Sequence, residues 1–303
     1  MNFDMDKFGL IGDPISTSKS PILFNAAYAG RRQYDLIEGS DFEASYARFL
    51  SDYKAINVTA PFKELAFRKA DVISGPCSKI GASNLLLKTE QGIEAHNSDF
   101  TGIILCVAEA YFPGITAQCY ERYGSRGYIK VHQFFRESIG HLFAEKPQAL
   151  VVGCGGAGRA AAVAAAELGF DTSLMNRTPE KAQKIVDELP EYRFIVDPVS
   201  DFKAAVKECE LVIYTLPMAL DSVALLTQED FAGEGRYGTG QPGKVILEAN
   251  YKTPAFSGEV LDRLNASGAQ YIPGKRWLIG QAITGYGIMT GEQPDINAIS
   301  SAI

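Results

Sequence analysis

Val151-Val152-Gly153-Cys154-Gly155-Gly156-Ala157-Gly158-Arg159-Ala160 is an apolar strand that ends in a glycine turn and runs straight into an alanine-rich helix. Glycines let a backbone turn tightly and approach a pyrophosphate, while the new helix offers unpaired N–H groups and the positive end of its dipole. The stretch predicts a dinucleotide site at Gly153, Gly155, Gly156 and Ala157, although a plain strand-to-helix turn would look the same in isolation. The sequence beyond it favours the site. After the helix Ala160 to Leu168 come Gly169, a second short strand near Thr172 to Met175, and Asn176-Arg177-Thr178 where the ribose is read.

A site for NAD ends this second strand with Asp or Glu, which bonds the ribose hydroxyls and repels an added phosphate. No acid stands there. Arg177 presents a planar fork suited to a phosphate dianion and Thr178 a hydroxyl, so NADP is the predicted cofactor. Thr178 and Pro179 also read as N-cap and first residue of a helix, and the two readings are compatible. Cys154, beside a helix N-terminus, is expected either to carry a lowered thiol pKa or to be a small buried residue.

The chain has 303 residues, 46% of them hydrophobic, enough for two cores of ordinary domain size. A net charge of -7 argues against nucleic acid and anionic membranes as partners. No apolar run approaches the roughly 18 residues of a membrane span, and Met1 to Lys7 has no signal-type apolar core, so a cytoplasmic location is expected. The five cysteines lack any CxxC spacing, which suggests neither a metal site nor a disulfide framework.

Strand and helix signals alternate through most of the chain, an α/β pattern. Lys7 to Gly12, Tyr34 to Glu38, Ala55 to Val58 and Ser83 to Lys88 read as strands, with helices at Pro21 to Tyr28 and Phe42 to Tyr53. A second series begins at Gln148, with further strands near Thr172, Leu211 and Lys244 and helices at Phe256 to Ser267 and Trp277 to Thr290. Tyr111 to Pro147 is too long for an ordinary connection. Within it Tyr120 to Lys130 reads as a basic aromatic loop and Val131 to Phe143 as an amphipathic helix, to be covered by its own subunit or by a second one.

The N-terminal half carries polar motifs at the ends of its strands. In Ser18-Lys19-Ser20-Pro21, Ser20 reads as N-cap and Pro21 as N1, which sets two hydroxyls beside a helix N-terminus that could receive a carboxylate or simply be capped. Asn57-Val58-Thr59-Ala60-Pro61-Phe62-Lys63 aims Thr59 and Lys63 out of a sheet edge, where a lysine is either an acid–base group or solvated. Asn97-Ser98-Asp99 adds a polar tip with Asp99 as N-cap or as partner of Lys63.

Together these motifs resemble the shikimate dehydrogenase family. The matches run in order: Gly12-Asp13-Pro14-Ile15 with Ser18 and Ser20-Pro21, then Asn57 to Lys63, Gly81-Ala82-Ser83-Asn84 and Asn97 to Asp99. They continue with Gly153 to Ala157, Asn176 to Thr178, Tyr251 with Thr253-Pro254, and Gly274 with Gln281-Ala282. The resemblance implies NADP-linked reduction of 3-dehydroshikimate to shikimate in aromatic amino acid biosynthesis. It implies that Ser18 and Ser20 hold the substrate carboxylate with Tyr251 nearby, that Thr59, Asn84, Asp99 and Gln281 bond ring hydroxyls, and that Lys63 and Asp99 form the catalytic pair. It also places Gly153, Gly155, Gly156, Ala157, Asn176, Arg177, Thr178 and Gly274 at the cofactor. The chain departs from the family pattern at Thr17, Ser98, Phe100 and Trp277, and the acid usual before the family's tyrosine is replaced in Glu248-Ala249-Asn250.

The expected architecture is a two-domain α/β enzyme, an N-terminal α/β substrate domain plus a Rossmann-type NADP-binding domain with a cleft between them. Residues 1–110, completed by 275–303, would bind substrate, 111–147 would form an inserted segment, and 148–274 would bind NADP. A monomer or homodimer acting on small molecules is expected. The other readings are a quinate or broader polyol-acid dehydrogenase and a non-catalytic ligand sensor, the last disfavoured by the presence of both Lys63 and Asp99.

Overall fold

The computed structural model describes residues 6–143, 145–232 and 243–303. Two units emerge from the chain, Met1–Gly102 with Ile279–Ile303, and Ile103–Leu278. The first unit opens with β1 (Lys7–Gly12), α1 (Ser20–Ala27), β2 (Gln33–Glu38), α2 (Phe42–Asp52), β3 (Ala55–Val58) and α3 (Lys63–Arg68). It continues through β4 (Val72–Ile73), α4 (Gly75–Ile80), β5 (Leu85–Thr89), β6 (Gly92–His96) and α5 (Ser98–Tyr111), which passes into the second unit at Gly102.

Its six strands lie in the order β2-β1-β3-β5-β6-β4. β1 is parallel to β2 and β3, but β5 is antiparallel to β3 and to β6, so the sheet is mixed. Neither β4 nor β6 is among the expected strands: β4 is two residues long, and β6, Gly-Ile-Glu-Ala-His, opens on glycine and holds a single strongly β-favouring residue, Ile93, although its residues alternate. One core joins the sheet to α2 through Ile11, Ile37, Phe49, Ile56 and Leu86. Phe42, Tyr46 and Phe49 of α2 recur at helical spacing, and Asp41 caps the helix by accepting from Glu43 N at 2.9 Å.

The second unit begins with α6 (Ile115–Tyr123) and α7 (Gly127–Leu142). Tyr120 to Lys130 is therefore largely helical and not the loop expected, because Ile115, Cys119 and Tyr120 line one helix face and are buried. α7 buries Val131, Phe135 and Leu142 within its own unit, where Phe135 meets Phe112 at 5.9 Å and Phe170 at 6.2 Å between ring centroids. Its His132 ring bonds the Glu167 carbonyl at 3.0 Å.

There follow β7 (Gln148–Val152), α8 (Gly156–Leu168), β8 (Asp171–Met175), α9 (Pro179–Glu188), β9 (Ile195–Val196), α10 (Phe202–Glu208) and β10 (Leu211–Tyr214). The unit closes with α11 (Gln228–Phe231), β11 (Val245–Glu248), α12 (Glu259–Ala266), β12 (Gln270–Ile272) and the start of α13 (Gly274–Thr290). All pairings are parallel and the order is β12-β11-β10-β7-β8-β9. Numbered from β7, that is the 3-2-1-4-5-6 arrangement of a Rossmann sheet, with its reversal of direction between β7 and β10.

α13 runs back into the first unit, followed there by α14 (Ile296–Ser301). Close contact is possible because a Cβ on Gly280 would lie 3.0 Å from the Gly102 carbonyl, and Thr101 and Thr284 join their hydroxyls at 2.5 Å. Tyr28 donates to the Tyr286 carbonyl at 2.9 Å and Asp295 N to the Ala27 carbonyl at 3.0 Å, so both ends of the sequence complete this unit. Among the described residues no helix is long and apolar enough to cross a membrane.

Candidate active site

Four segments deliver polar residues to one edge of the first sheet. β1, β3 and β6 run in one direction, and β5 runs back from that edge with Asn84 just before its first residue. In register, Leu85 faces Asn57 on one side and His96 on the other, so the segments after Gly12, Val58 and His96 emerge beside Asn84. Gly12 is required there, since a Cβ would collide with the Thr59 methyl.

Lys63 is the first residue of α3, and its Nζ lies 2.5 Å from Asp99 Oδ2. Asp99 is buried in the first turn of α5 and Lys63 is half-buried. Of the two roles open to Asp99 in the sequence, the fold makes it the lysine's partner. Capping falls to Asn97, whose Oδ1 accepts from Phe100 N at 3.2 Å while its Nδ2 donates to the Ala82 carbonyl at 2.8 Å. Asn84 is buried with its Oδ1 accepting from Ser98 N at 2.7 Å, which sets the start of α5 against β5.

Ser20 is not the N-cap expected. It is already the first residue of α1, and Lys19 before it makes no side-chain cap. The half-buried Ser18 hydroxyl donates to Ser20 Oγ at 3.2 Å and accepts from Ser20 N at 3.2 Å, so the two hydroxyls form a pair. The loop leading to them is fastened by Glu38, whose Oε1 accepts from Ile15 N at 2.9 Å and Ser16 N at 3.3 Å. Two tyrosines that no sequence motif singles out stand behind the pair: Tyr286 donates to the Ser20 carbonyl at 3.0 Å and Tyr34 to Asn57 Oδ1 at 2.8 Å. Their only sequence signal is the general need of a buried phenol for a partner. Gln281 is half-buried on α13, one turn before Thr284.

In the second unit Gly153 follows β7 at a positive φ of 101°, and a Cβ on it would strike the Thr215 hydroxyl just beyond β10. A Cβ on Gly158 would overlap the Gly153 carbonyl, so both glycines are dictated by close backbone approach at the sheet's reversal point. Gly155 is exposed with open space around it, and no side chain caps α8, which leaves the first-turn N–H groups of Gly156 and Ala157 for an anion. This cradle suits a pyrophosphate.

Asn176 is buried and spent on the loop itself: its Oδ1 accepts from Cys154 N at 3.0 Å and its Nδ2 donates to the Thr178 carbonyl at 2.9 Å. Arg177 and Thr178 are exposed, and Thr178 occupies the N-cap of α9 without a side-chain cap bond. Burial pushes the Cys154 thiol up to about 12, with Lys181 drawing it slightly back, so the lowered pKa expected from the helix terminus is overturned by desolvation.

Tyr251 is half-buried on the loop after β11. That loop is set by a residue with no motif to mark it. Glu248 is wholly buried three positions before Tyr251, and its carboxylate accepts from Ala255 N at 2.5 Å, Phe256 N at 3.3 Å and Tyr271 OH at 2.7 Å. Desolvation raises its pKa despite these bonds. Gly274 has a steric reason too, since a Cβ there would strike the Ala249 carbonyl at the start of the same loop.

Residues 10–86 match the family described as "Shikimate dehydrogenase substrate binding domain" and residues 137–227 the one described as "Shikimate / quinate 5-dehydrogenase". The pentafunctional AROM polypeptide of Candida tropicalis is 28% identical over 309 residues, a stretch that covers 98% of this chain but only 18% of that polypeptide. The shikimate dehydrogenase (NADP(+)) of Methanococcoides burtonii is 26% identical over 314 residues, 98% of this chain and 96% of that protein. Among solved structures, the shikimate 5-dehydrogenase of Thermus thermophilus in complex with NADP(H) and shikimate has a TM-score of 0.71 at 23% identity over 98% of both chains, which shows a common fold. Substrate-domain and dehydrogenase matches follow one another along the sequence, and the chain belongs to the shikimate dehydrogenase family.

Proposed function

We propose that this protein is an NADP-dependent dehydrogenase that reduces 3-dehydroshikimate to shikimate in aromatic amino acid biosynthesis. The observation that carries the reading is the Lys63–Asp99 contact at a sheet edge that also gathers Thr59, Asn84 and the Ser18–Ser20 pair. NADPH, when bound, supplies a hydride to the ketone carbon. The ketone oxygen then gains negative charge, and Lys63 Nζ donates a proton to it while Asp99 holds the ammonium in place. Ser18 and Ser20 hold the substrate carboxylate by hydroxyl bonds, Thr59, Asn84, Asp99 and Gln281 orient the ring hydroxyls, and Tyr251 lies near the carboxylate.

In this reading Gly153, Gly155, Gly156 and Ala157 cradle the pyrophosphate, Arg177 and Thr178 read the 2′-phosphate, and Asn176 and Gly274 shape the site around them. Residues 1–110 with 275–303 serve the substrate, 148–274 serve NADP, and 111–147 act as a packed insertion. Its net charge of -7 supports small molecules, not nucleic acid, as ligands, and we place it in the cytoplasm as a monomer or homodimer.

An absorbance assay of NADPH and NADH consumption with 3-dehydroshikimate and 3-dehydroquinate tests the proposal. Turnover with NADPH and 3-dehydroshikimate is expected. The quinate reading, which the matched description also names, would be favoured by faster turnover of 3-dehydroquinate. Ligand binding without turnover would leave a sensor.

A further inference from the structure

Arg177 and Met218 meet across the glycine turn of the second unit. Tyr214, Val152 and Met175 lie side by side on β10, β7 and β8, so the turn after β7 has the loop after β10 on one side and the loop after β8 on the other. Those two loops are two strand spacings apart, about 10 Å of sheet. The gap is closed by side chains, because Arg177 Nη1 donates to Met218 Sδ at 3.3 Å.

The sulfur is held from behind. Tyr214 is wholly buried, its ring 5.5 Å from that of Phe256 and 6.4 Å from that of Phe202, and its hydroxyl donates to the Met218 carbonyl at 2.9 Å while accepting from Leu220 N at 2.9 Å. Asn250 Nδ2 donates to the carbonyl of the preceding Pro217 at 2.9 Å. A backbone fixed on both sides thus presents a methionine side chain that is 54% exposed. A thioether is a weak and uncharged acceptor. It orients the guanidinium through one N–H and leaves the positive charge and the other N–H groups for an anion. Arg159 in the first turn of α8 shows the contrast, since its guanidinium is ion-paired with the Glu188 carboxylate.

We infer that Met218 is a positioning residue for cofactor selection, its sulfur holding Arg177 in the orientation that receives the 2′-phosphate without neutralising it. The inference rests on the reading that Arg177 meets that phosphate. It gives Met218 no part in hydride or proton transfer.

Calorimetric titration of the full chain with adenosine 2′,5′-bisphosphate and with 5′-AMP, which differ only in the 2′-phosphate, tests the inference without turnover. Met218→Leu keeps the bulk and removes the acceptor. It is expected to weaken the bisphosphate about two- to fivefold, the lower end for one hydrogen bond, while 5′-AMP changes by less than about 1.5-fold. Met218→Glu should weaken the bisphosphate at least about tenfold, because the new carboxylate occupies Arg177 and repels the phosphate. Met218→Gln places a carbonyl acceptor where the sulfur stood and should bind both ligands as the wild type does. In an Arg177→Ala background Met218→Leu should have no further effect on the bisphosphate. Unchanged bisphosphate affinity in Met218→Leu, an equal loss of both ligands, or the same loss with and without Arg177 would overturn the inference. A wild type that binds the two ligands equally would defeat the reading of Arg177 and this inference with it; selectivity lost in Arg177→Ala but kept in Met218→Leu would defeat the inference alone.

Discussion

Lys63 and Asp99 meet through Nζ and Oδ2 at 2.5 Å although 36 residues separate them, one opening α3 and the other lying in the first turn of α5. The contact is made by strand topology. β3 and β6 run in the same direction with β5 between them, so the helices that come after these two strands start at one edge.

Replacing Lys63 by Ala is expected to lower kcat by at least about 100-fold, the usual scale for a proton donor, with a much smaller change in KM. Asp99→Asn should also be strongly impaired. Steady-state kinetics of the double variant should show less than the product of the single losses, because the two side chains act as one unit. Turnover equal to wild type in Lys63→Ala would end the assignment.

Arg177→Ala should weaken NADP binding by about 1.5–3 kcal/mol, the worth of a hydrogen bond to a charged group, and leave NAD almost unaffected. Titration of both cofactors by fluorescence or calorimetry checks this. A parallel loss for NAD and NADP would mean that the guanidinium shapes the loop and does not read the phosphate.

Cys154 should be slow to react. With its thiol held near 12 by burial, the thiolate fraction at about pH 8 is far below that of an ordinary cysteine, and reactivity should grow as pH rises toward that value. Iodoacetamide labelling followed by mass spectrometry is expected to find Cys154 unmodified in the native protein and modified after denaturation. Rapid native labelling blocked by NADP would restore the activated-thiol reading.

Neighbouring phenylalanines of α7 should behave differently. Phe135 is fully buried and Phe134 is 39% exposed, so Phe135→Ala is expected to cost about 3–5 kcal/mol and Phe134→Ala less than about 1 kcal/mol. Chemical denaturation measures both. Equal losses would show that the outer face of α7 is covered in solution, as a second subunit would cover it.

Much of this is legible in local chemistry. A glycine turn between an apolar strand and a small-residue helix admits few folds, and Gly153 and Gly158 sit where backbone packing demands them. Helix starts are less legible. Ser20 and Asp99 each look like caps, yet Lys19 and Asn97 hold those positions, because a cap is decided by a single φ/ψ choice that neighbouring polar residues do not reveal. Least legible are buried polar groups. Glu248 and Lys244 are both wholly buried, and nothing in a linear pattern announces that a carboxylate will find two backbone N–H groups seven and eight residues on, or that a lysine will cap carbonyls of Val206, Lys207 and Cys209.

The discontinuous first unit also sets an order of events during synthesis. Residues 103–278 leave the ribosome as a contiguous stretch, whereas the unit carrying Lys63 and Asp99 still lacks α14 and most of α13 when that stretch is complete. Until residues 279–303 emerge, Tyr28 has no Tyr286 carbonyl to donate to and Phe24 lacks the ring of Tyr286 at 4.9 Å. The nascent chain therefore holds an unfinished apolar face for the whole time the Rossmann sheet is being made, and the segment before that sheet, although translated ahead of it, is expected to close after it.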